Sequence, residues 1–278
     1  MEPGPLRDLL TLLLGFATGI LSALFGIGGA IVSNPGLRAL GAAPLVAVGT
    51  TLPSILPGAI SGTLRYRREG LIDWRLIGPA AAAGLPAVVG GSLLSHAVPG
   101  DGHLLLLLIA VLLAFTAWRT AVTRPADANP APTREAELPQ VSSPAGNDDP
   151  PARSRWTAAG IGLAAGLLSG LLGIGGGVIM VPAFTELLHL RLKSAIASSL
   201  VCVGIFGIPA TITHALLGDV DWRMAALLAV AVIPGARIGA NITIRTAEHR
   251  LRLAVGCFLA LVAVVYFVVE TRALLEEL

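Results

Sequence analysis

Two short glycine runs in this 278-residue chain offer backbone able to hold a ligand. Gly26-Ile27-Gly28-Gly29 and Gly173-Ile174-Gly175-Gly176, the second extended by Gly177, each interrupt an apolar stretch and precede a proline, Pro35 or Pro182. Glycine permits φ > 0 and close backbone approach. In hydrocarbon, broken helix is tolerated only where it is buried or lines a wet cavity. A helix that restarts after each run, expected over 30–40 and 178–190, presents unpaired N–H groups and a partial positive charge in its first turn. An anion can bind such a terminus without any Lys or Arg. The competing reading is that the glycines only let helices pack closely, since Gly is common in membrane helices. A nucleotide loop is excluded: there is no GxxxxGK[ST] and no strand–helix context.

Polar residues at matched positions accompany the runs. Ser22 and Ser169 each stand four residues before a glycine run. They either donate to an anion or bond the preceding helical turn. Thr50-Thr51 and Ser198-Ser199 form hydroxyl pairs near the starts of later apolar stretches, where they either line a site or cap helix starts. Arg237 is the one charge well inside an apolar span. An intramembrane charge is a functional candidate, although Arg237 lies about two turns from Arg245 and can instead snorkel to the interface. His214 and Glu186 fall near predicted span ends and read as interfacial. The candidate substrate-binding set is therefore Ser22, Gly26, Gly28, Gly29, Thr50, Thr51, Ser169, Gly173, Gly175, Gly176, Gly177, Ser198, Ser199 and Arg237, with no metal, cofactor or catalytic residue expected.

Composition says what kind of scaffold carries these residues. Hydrophobic residues make up 54% of the chain and charged residues 13%, with mean hydropathy +0.79; a soluble domain carries roughly 25% charged residues. An ordinary soluble enzyme, a disordered chain and a coiled coil are excluded. A net charge of +2 gives no argument for a nucleic-acid partner. Charge-free stretches at 9–37, 39–64, 76–100, 102–118, 156–185, 194–218, 224–236 (continuing to 244) and 253–269 read as eight apolar segments in two groups of four. Most reach the roughly 20 residues that span a bilayer. The proline-rich stretch 123–155 reads as a flexible cytoplasmic linker, separating a first transmembrane repeat (1–122) from a second (156–278).

The halves are duplicated. Gly15–Pro35 and Gly162–Pro182 share 11 of 21 residues without gaps, and Asp73-Trp74-Arg75 matches Asp221-Trp222-Arg223. Basic residues mark cytoplasmic loops. The loop holding Arg65, Arg67, Arg68 and Arg75 is positive, whereas its counterpart around Asp219 and Asp221 is acidic apart from Arg223 at its edge. Arg245, Arg250 and Arg252 follow the next segment, whose counterpart loop carries no Lys or Arg. That alternation predicts inverted repeats. Inversion needs an odd number of crossings per half, so the first segment of each half is expected to be Gly-broken and re-entrant. As one helix, the 35 residues 156–190 would run about 50 Å, against a core of about 30 Å. The fold expected is thus an all-α polytopic membrane protein of two homologous four-segment repeats. Eight full crossings with both termini inside is the alternative.

The duplicated unit, with its paired GIGG runs, trailing prolines, hydroxyl pairs and central hydrophilic linker, resembles the sulfite exporter TauE/SafE family. The resemblance covers nearly the whole chain outside 123–155. It implies a multi-pass permease of the cytoplasmic membrane exporting a small anion, sulfite or an organosulfonate-derived one. It also implies roles for Gly26, Gly28, Gly29, Gly173, Gly175, Gly176 and Gly177. The halves differ at Ala30 against Gly177 and at Ser33-Asn34 against Met180-Val181, which leaves two unequal half-sites. The expected partners are the lipid bilayer, the small anion and a coupling ion, since no nucleotide motif supplies energy. An importer, or a channel or accessory subunit, is the alternative. A membrane-embedded enzyme is disfavoured: HExxH and GxSxG are absent.

Overall fold

The computed structural model describes residues 4–95 and 152–276. Regular structure among them is helical: α1 (Pro5–Phe25), α2 (Ala30–Ala39), α3 (Pro44–Arg68), α4 (Trp74–Ser95), α5 (Ala152–Leu172), α6 (Gly177–Glu186), α7 (Leu192–Leu217), α8 (Trp222–Arg245) and α9 (Glu248–Glu276). Six of these, α1, α3, α4, α5, α7 and α8, are long and apolar enough to cross a membrane. The predicted segment 102–118 and residues 123–151 of the linker lie outside the described residues. Residues 152–155, expected as linker, form the first turn of α5.

Local chemistry sets the ends. Pro5 and Pro44 open α1 and α3, where a missing N–H costs nothing. Asp221 caps α8, its carboxylate accepting from the N–H groups of Arg223 and Met224. Helix α7 stops at Gly218, which adopts φ 84°, and the Asp219 N–H returns to the His214 carbonyl at 3.0 Å.

Close approach along small residues determines which helices are neighbours. Helices α1 and α8 lie side by side in the same direction, with Gly15 against Leu228 and Ala231, Gly19 against Val232, and Thr243 donating to the Leu24 carbonyl at 2.8 Å. Helices α4 and α5 repeat the device, Gly162 meeting Ala80, Gly166 meeting Gly84 and Gly170 meeting Val88. Between these pairs α3 and α7 cross antiparallel, Ala59 facing Gly204, Ile55 facing Gly207 and Leu200 facing Gly62. Helix α2 folds back along α1, so that Gly29 lies beside Thr18 and Gly36 beside Leu14. Van der Waals contact is the main attraction between helices in lipid, and removing side chains at the contact lets backbones approach.

Candidate functional site

The candidate site is built from the segments that join α1 to α2 and α5 to α6. At the first, Gly26 closes α1 by donating its N–H to the Ser22 carbonyl at 2.8 Å and turns the chain with φ 68°. Gly28 continues the turn with φ 78°, and Gly29 stands at the N-cap of α2. At the second, Gly173 bonds the Ser169 carbonyl at 2.9 Å, and Gly175 and Gly176 adopt φ 79° and 71° before α6 begins. Backbone with φ > 0 costs an L-residue roughly 1–2 kcal/mol, which is why glycine stands here. Neither α2 nor α6 has a side-chain cap. Every glycine of both runs is buried.

These two turns touch. A Cβ added to Gly28 would lie 3.3 Å from the Ile174 carbonyl oxygen and 3.5 Å from the Gly175 Cα. Val203 of α7 stands over both, its Cγ1 at 2.8 Å from that Cβ position on Gly28 and 3.0 Å from the one on Gly175. At Gly177 a Cβ would overlap the Gly26 carbonyl and the Ile27 backbone, whereas Ala30 is accommodated in a packed cluster. The Ala30/Gly177 difference thus has a steric cause.

The hydroxyl pairs divide by position. Ser199 Oγ donates to the Gly26 carbonyl at 2.7 Å and so holds the first turn. Thr51 Oγ1 lies 2.8 Å from the Val48 carbonyl and 3.0 Å from Asn34 Oδ1, and Val48 packs against Gly173 of the second turn. Their neighbours do something else. Thr50 Oγ1 accepts the Asp221 N–H and Ser198 Oγ accepts the Asp73 N–H, both at 2.9 Å. Thr50 and Ser198 therefore hold the two Asp-Trp-Arg turns, each in the opposite half, and neither caps its own helix.

Unpartnered polar atoms gather near the turns. Ser169 Oγ, Thr18 Oγ1 and Asn34 Nδ2 are buried with no hydrogen-bond partner, and Ser22 is buried as well. A buried polar group left unpaired costs about 1–3 kcal/mol. Thr18 abuts Gly29 at the start of α2. Sequence reasoning passed over Thr18; its signal was a hydroxyl one turn before Ser22 on the same helical face. Arg237 does not join the turns. It is exposed beside Ile233, Pro234 and Ile238, away from the α8 face that meets α1. Among the described residues no Asp, Glu, Lys or Arg except Asp219 is buried, so the surroundings of the turns offer neutral donors and backbone dipoles only.

An all-helical polytopic chain with its glycine turns buried between halves belongs to the class of integral membrane transporters. The profile of the sulfite exporter TauE/SafE family matches residues 11–266, and the chain belongs to that family. A probable membrane transporter protein of Xylella fastidiosa (strain 9a5c) is 30% identical over 256 residues, covering 91% of this chain and 90% of its own. The probable membrane transporter protein YunE of Bacillus subtilis (strain 168) is 28% identical over 244 residues, covering 82% and 84%. The probable membrane transporter protein MamO of Paramagnetospirillum magneticum is 28% identical over 254 residues, covering 84% of this chain but 39% of MamO. No solved structure gives a significant match.

Proposed function

We propose that this transporter is a secondary carrier exporting a small anion, sulfite or an organosulfur anion, across the cytoplasmic membrane, and that the anion binds where the two glycine turns meet. The observation that carries this reading is the contact between the two buried turns, each leading into an uncapped helix start beside polar atoms without partners. Two helix N-termini converging on one point favour negative charge without a fixed cation. An uncharged site releases its anion more readily than a buried Arg would.

The two halves act as inverted repeats with re-entrant first segments. Helix direction supports this. Taking α1 as pointing up, α8 and α3 point up with it, while α7, α4 and α5 point down. Matched helices α1 and α5, α3 and α7, and α4 and α8 therefore run oppositely. Charge supports it too. Arg65, Arg67, Arg68, Arg75, Arg155, Arg191, Lys193, Arg245, Arg250 and Arg252 fall at one end of the bundle; at the other, Arg7, Arg38 and Arg223 are balanced by Asp8, Asp219 and Asp221. The first end is cytoplasmic by the positive-inside rule.

The turns lie under a cover in which Phe25, Ile27, Ile31, Leu172, Ile174 and Val178 pack with Val255 and Leu259 of α9. Passage through that cover requires rearrangement, as in a carrier and unlike an open pore. A membrane potential, negative inside, favours anion exit by about 2.3 kcal/mol per charge per 100 mV. The test is flux of sulfite, thiosulfate, sulfoacetate, sulfate and chloride into proteoliposomes, comparing wild type with Gly28→Leu and Gly175→Leu. Saturable sulfite flux, lost in correctly inserted variants, is expected. Movement of none of these anions would remove the sulfur-anion assignment and leave the transporter fold standing.

A further inference from the structure

The polar side chains beside the two glycine turns are unequal. Thr18, Ser22 and Asn34 in the first half match Ala165, Ser169 and Val181 in the second. The two positions that differ are those where the first half buries a polar group without a partner. Thr18 is 1% exposed and Asn34 is fully buried, and neither Thr18 Oγ1 nor Asn34 Nδ2 has a hydrogen-bond partner. Of the three counterparts, Ser169 alone carries such an atom. We propose that Thr18 and Asn34 make the anion site one-sided, so that it selects an anion whose oxygens lie on one face, an –SO3 head, over one with oxygens on every side; this rests on the binding position proposed above.

Both side chains reach the start of α2. Thr18 of α1 lies against Gly29, the N-cap, where a Cβ would overlap Thr18 Cγ2. Asn34 stands one turn inside α2. A helical Cα–Cβ bond tilts toward the helix N-terminus, so the amide leans to the same end. Thr51 of α3 fixes which way that amide faces. Its single hydroxyl proton has two acceptors in reach, the Val48 carbonyl at 2.8 Å and Asn34 Oδ1 at 3.0 Å. Given to Oδ1, the proton leaves Nδ2 with its N–H donors for a ligand. An anion at Nδ2 favours that arrangement, because both ends of the amide are then paired. Val48, one turn before Thr51, packs against Gly173 of the second turn.

The second half offers less. Ala165 stands against Gly176 as Thr18 stands against Gly29, without a hydroxyl. Val181 is buried in one apolar cluster with Ala23, Ala59 and Leu200. An anion oxygen turned toward these groups gives up its hydrogen bonds to water without replacement. Sulfite carries three oxygens on one face and a lone pair on the other. Thiosulfate carries three oxygens and a terminal sulfur, a weaker acceptor. Both can turn their oxygens to α2. Sulfate has the charge and shape of thiosulfate but cannot avoid aiming an oxygen at the Ala165 and Val181 side.

The experiment uses the full chain in proteoliposomes and follows equilibrium exchange of labelled sulfite, with thiosulfate and sulfate as competitors. Wild type is expected to be inhibited by thiosulfate at a concentration about tenfold or more below that of sulfate. Asn34→Val and Thr18→Val, which give the first half the apolar character of the second, should each raise the KM for sulfite about tenfold. Thr18→Ser restores the hydroxyl and should recover most of that loss. Ala165→Thr, which gives the second half the hydroxyl of the first, should narrow the gap between sulfate and thiosulfate, an effect that a packing role does not produce. Unfolding temperatures in detergent without anion are measured for every variant. Equal inhibition of wild type by the two competitors would overturn the one-sided site and leave the carrier standing. So would an unchanged KM in Asn34→Val and Thr18→Val. Loss of exchange in both of these and in Thr18→Ser, with lowered unfolding temperatures, would make the two residues packing elements and overturn the proposal. Wild type that exchanges no sulfite and binds neither competitor would bring down the binding position and the one-sided site with it.

Discussion

Replacing Gly28 by Ala tests the central contact, and its cost divides into two parts. The φ of 78° costs a non-glycine residue roughly 1–2 kcal/mol. The new Cβ would stand 2.8 Å from Val203 Cγ1, and forcing a methyl into a filled core costs roughly 1–3 kcal/mol. Gly28→Ala should therefore destabilise by about 2–5 kcal/mol. Val203→Ala removes two buried methyls at about 0.8 kcal/mol each, with a cavity added. In the double variant the steric part disappears and the backbone part stays, because the Val203 methyl that caused the clash is gone. The sum of the single effects should then exceed the double effect by about 1–3 kcal/mol. Reversible unfolding in detergent micelles, followed by tryptophan fluorescence, measures all three. Gly177→Ala is the control: its Cβ meets the Gly26 carbonyl and Ile27 backbone, which no side-chain deletion removes, so Val203→Ala should not relieve it. Effects of Gly28→Ala and Val203→Ala that add to within about 0.5 kcal/mol would refute the contact between the turns through Val203.

Three further outcomes are expected. Ser199→Ala leaves the Gly26 carbonyl without its donor and should cost about 1–3 kcal/mol in the same unfolding measurement, with a raised KM for anion exchange. Thr50→Val and Ser198→Ala release the Asp-Trp-Arg turns; each should cost about 1 kcal/mol yet leave KM unchanged, since neither hydroxyl faces a glycine turn. In a background lacking Cys202 and Cys257, Val220→Cys should react with an impermeant thiol reagent from outside intact cells and Thr246→Cys should not. Labelling of both from outside would sink the inverted arrangement.

What could be read from the chain in advance depended on repetition. The two glycine runs, the hydroxyl pairs and the Asp-Trp-Arg turns are visible because each occurs twice at fixed spacing, and one copy calibrates the other. The partners of those residues were not visible. Whether Thr50 caps its own helix or holds a turn in the opposite half depends on the α3–α8 approach, and no local pattern encodes that approach. Arg237 illustrates a second limit. Hydropathy gives its depth in a span, but which way it faces follows from Leu228, Val232, Gly235 and Gly239 being the residues packed against α1. Thr18 was missed for a related reason: it has no polar counterpart, since Ala165 occupies its place.

The division of labour within each hydroxyl pair bears on how this membrane transporter moves. Thr50 and Ser198 tie the start of α3 and of α7 to a turn belonging to the other half. Thr51 and Ser199, one residue on, reach the surroundings of the glycine turns. A connection that lifts away at either end of the bundle therefore pulls on a helix whose next residue contacts the centre. On the inverted arrangement proposed above, the two ties are equivalent by repeat, and loosening one while keeping the other would give two states of opposite sense from one framework. Their energies need not match, since Asn34 opposes Val181 and His214 opposes Tyr66. We infer that these unequal side chains set the preferred state, and that Asn34→Val, which makes the halves alike at that position, shifts the balance between them. Unchanged accessibility of Val220→Cys and Thr246→Cys in the Asn34→Val background would contradict that inference.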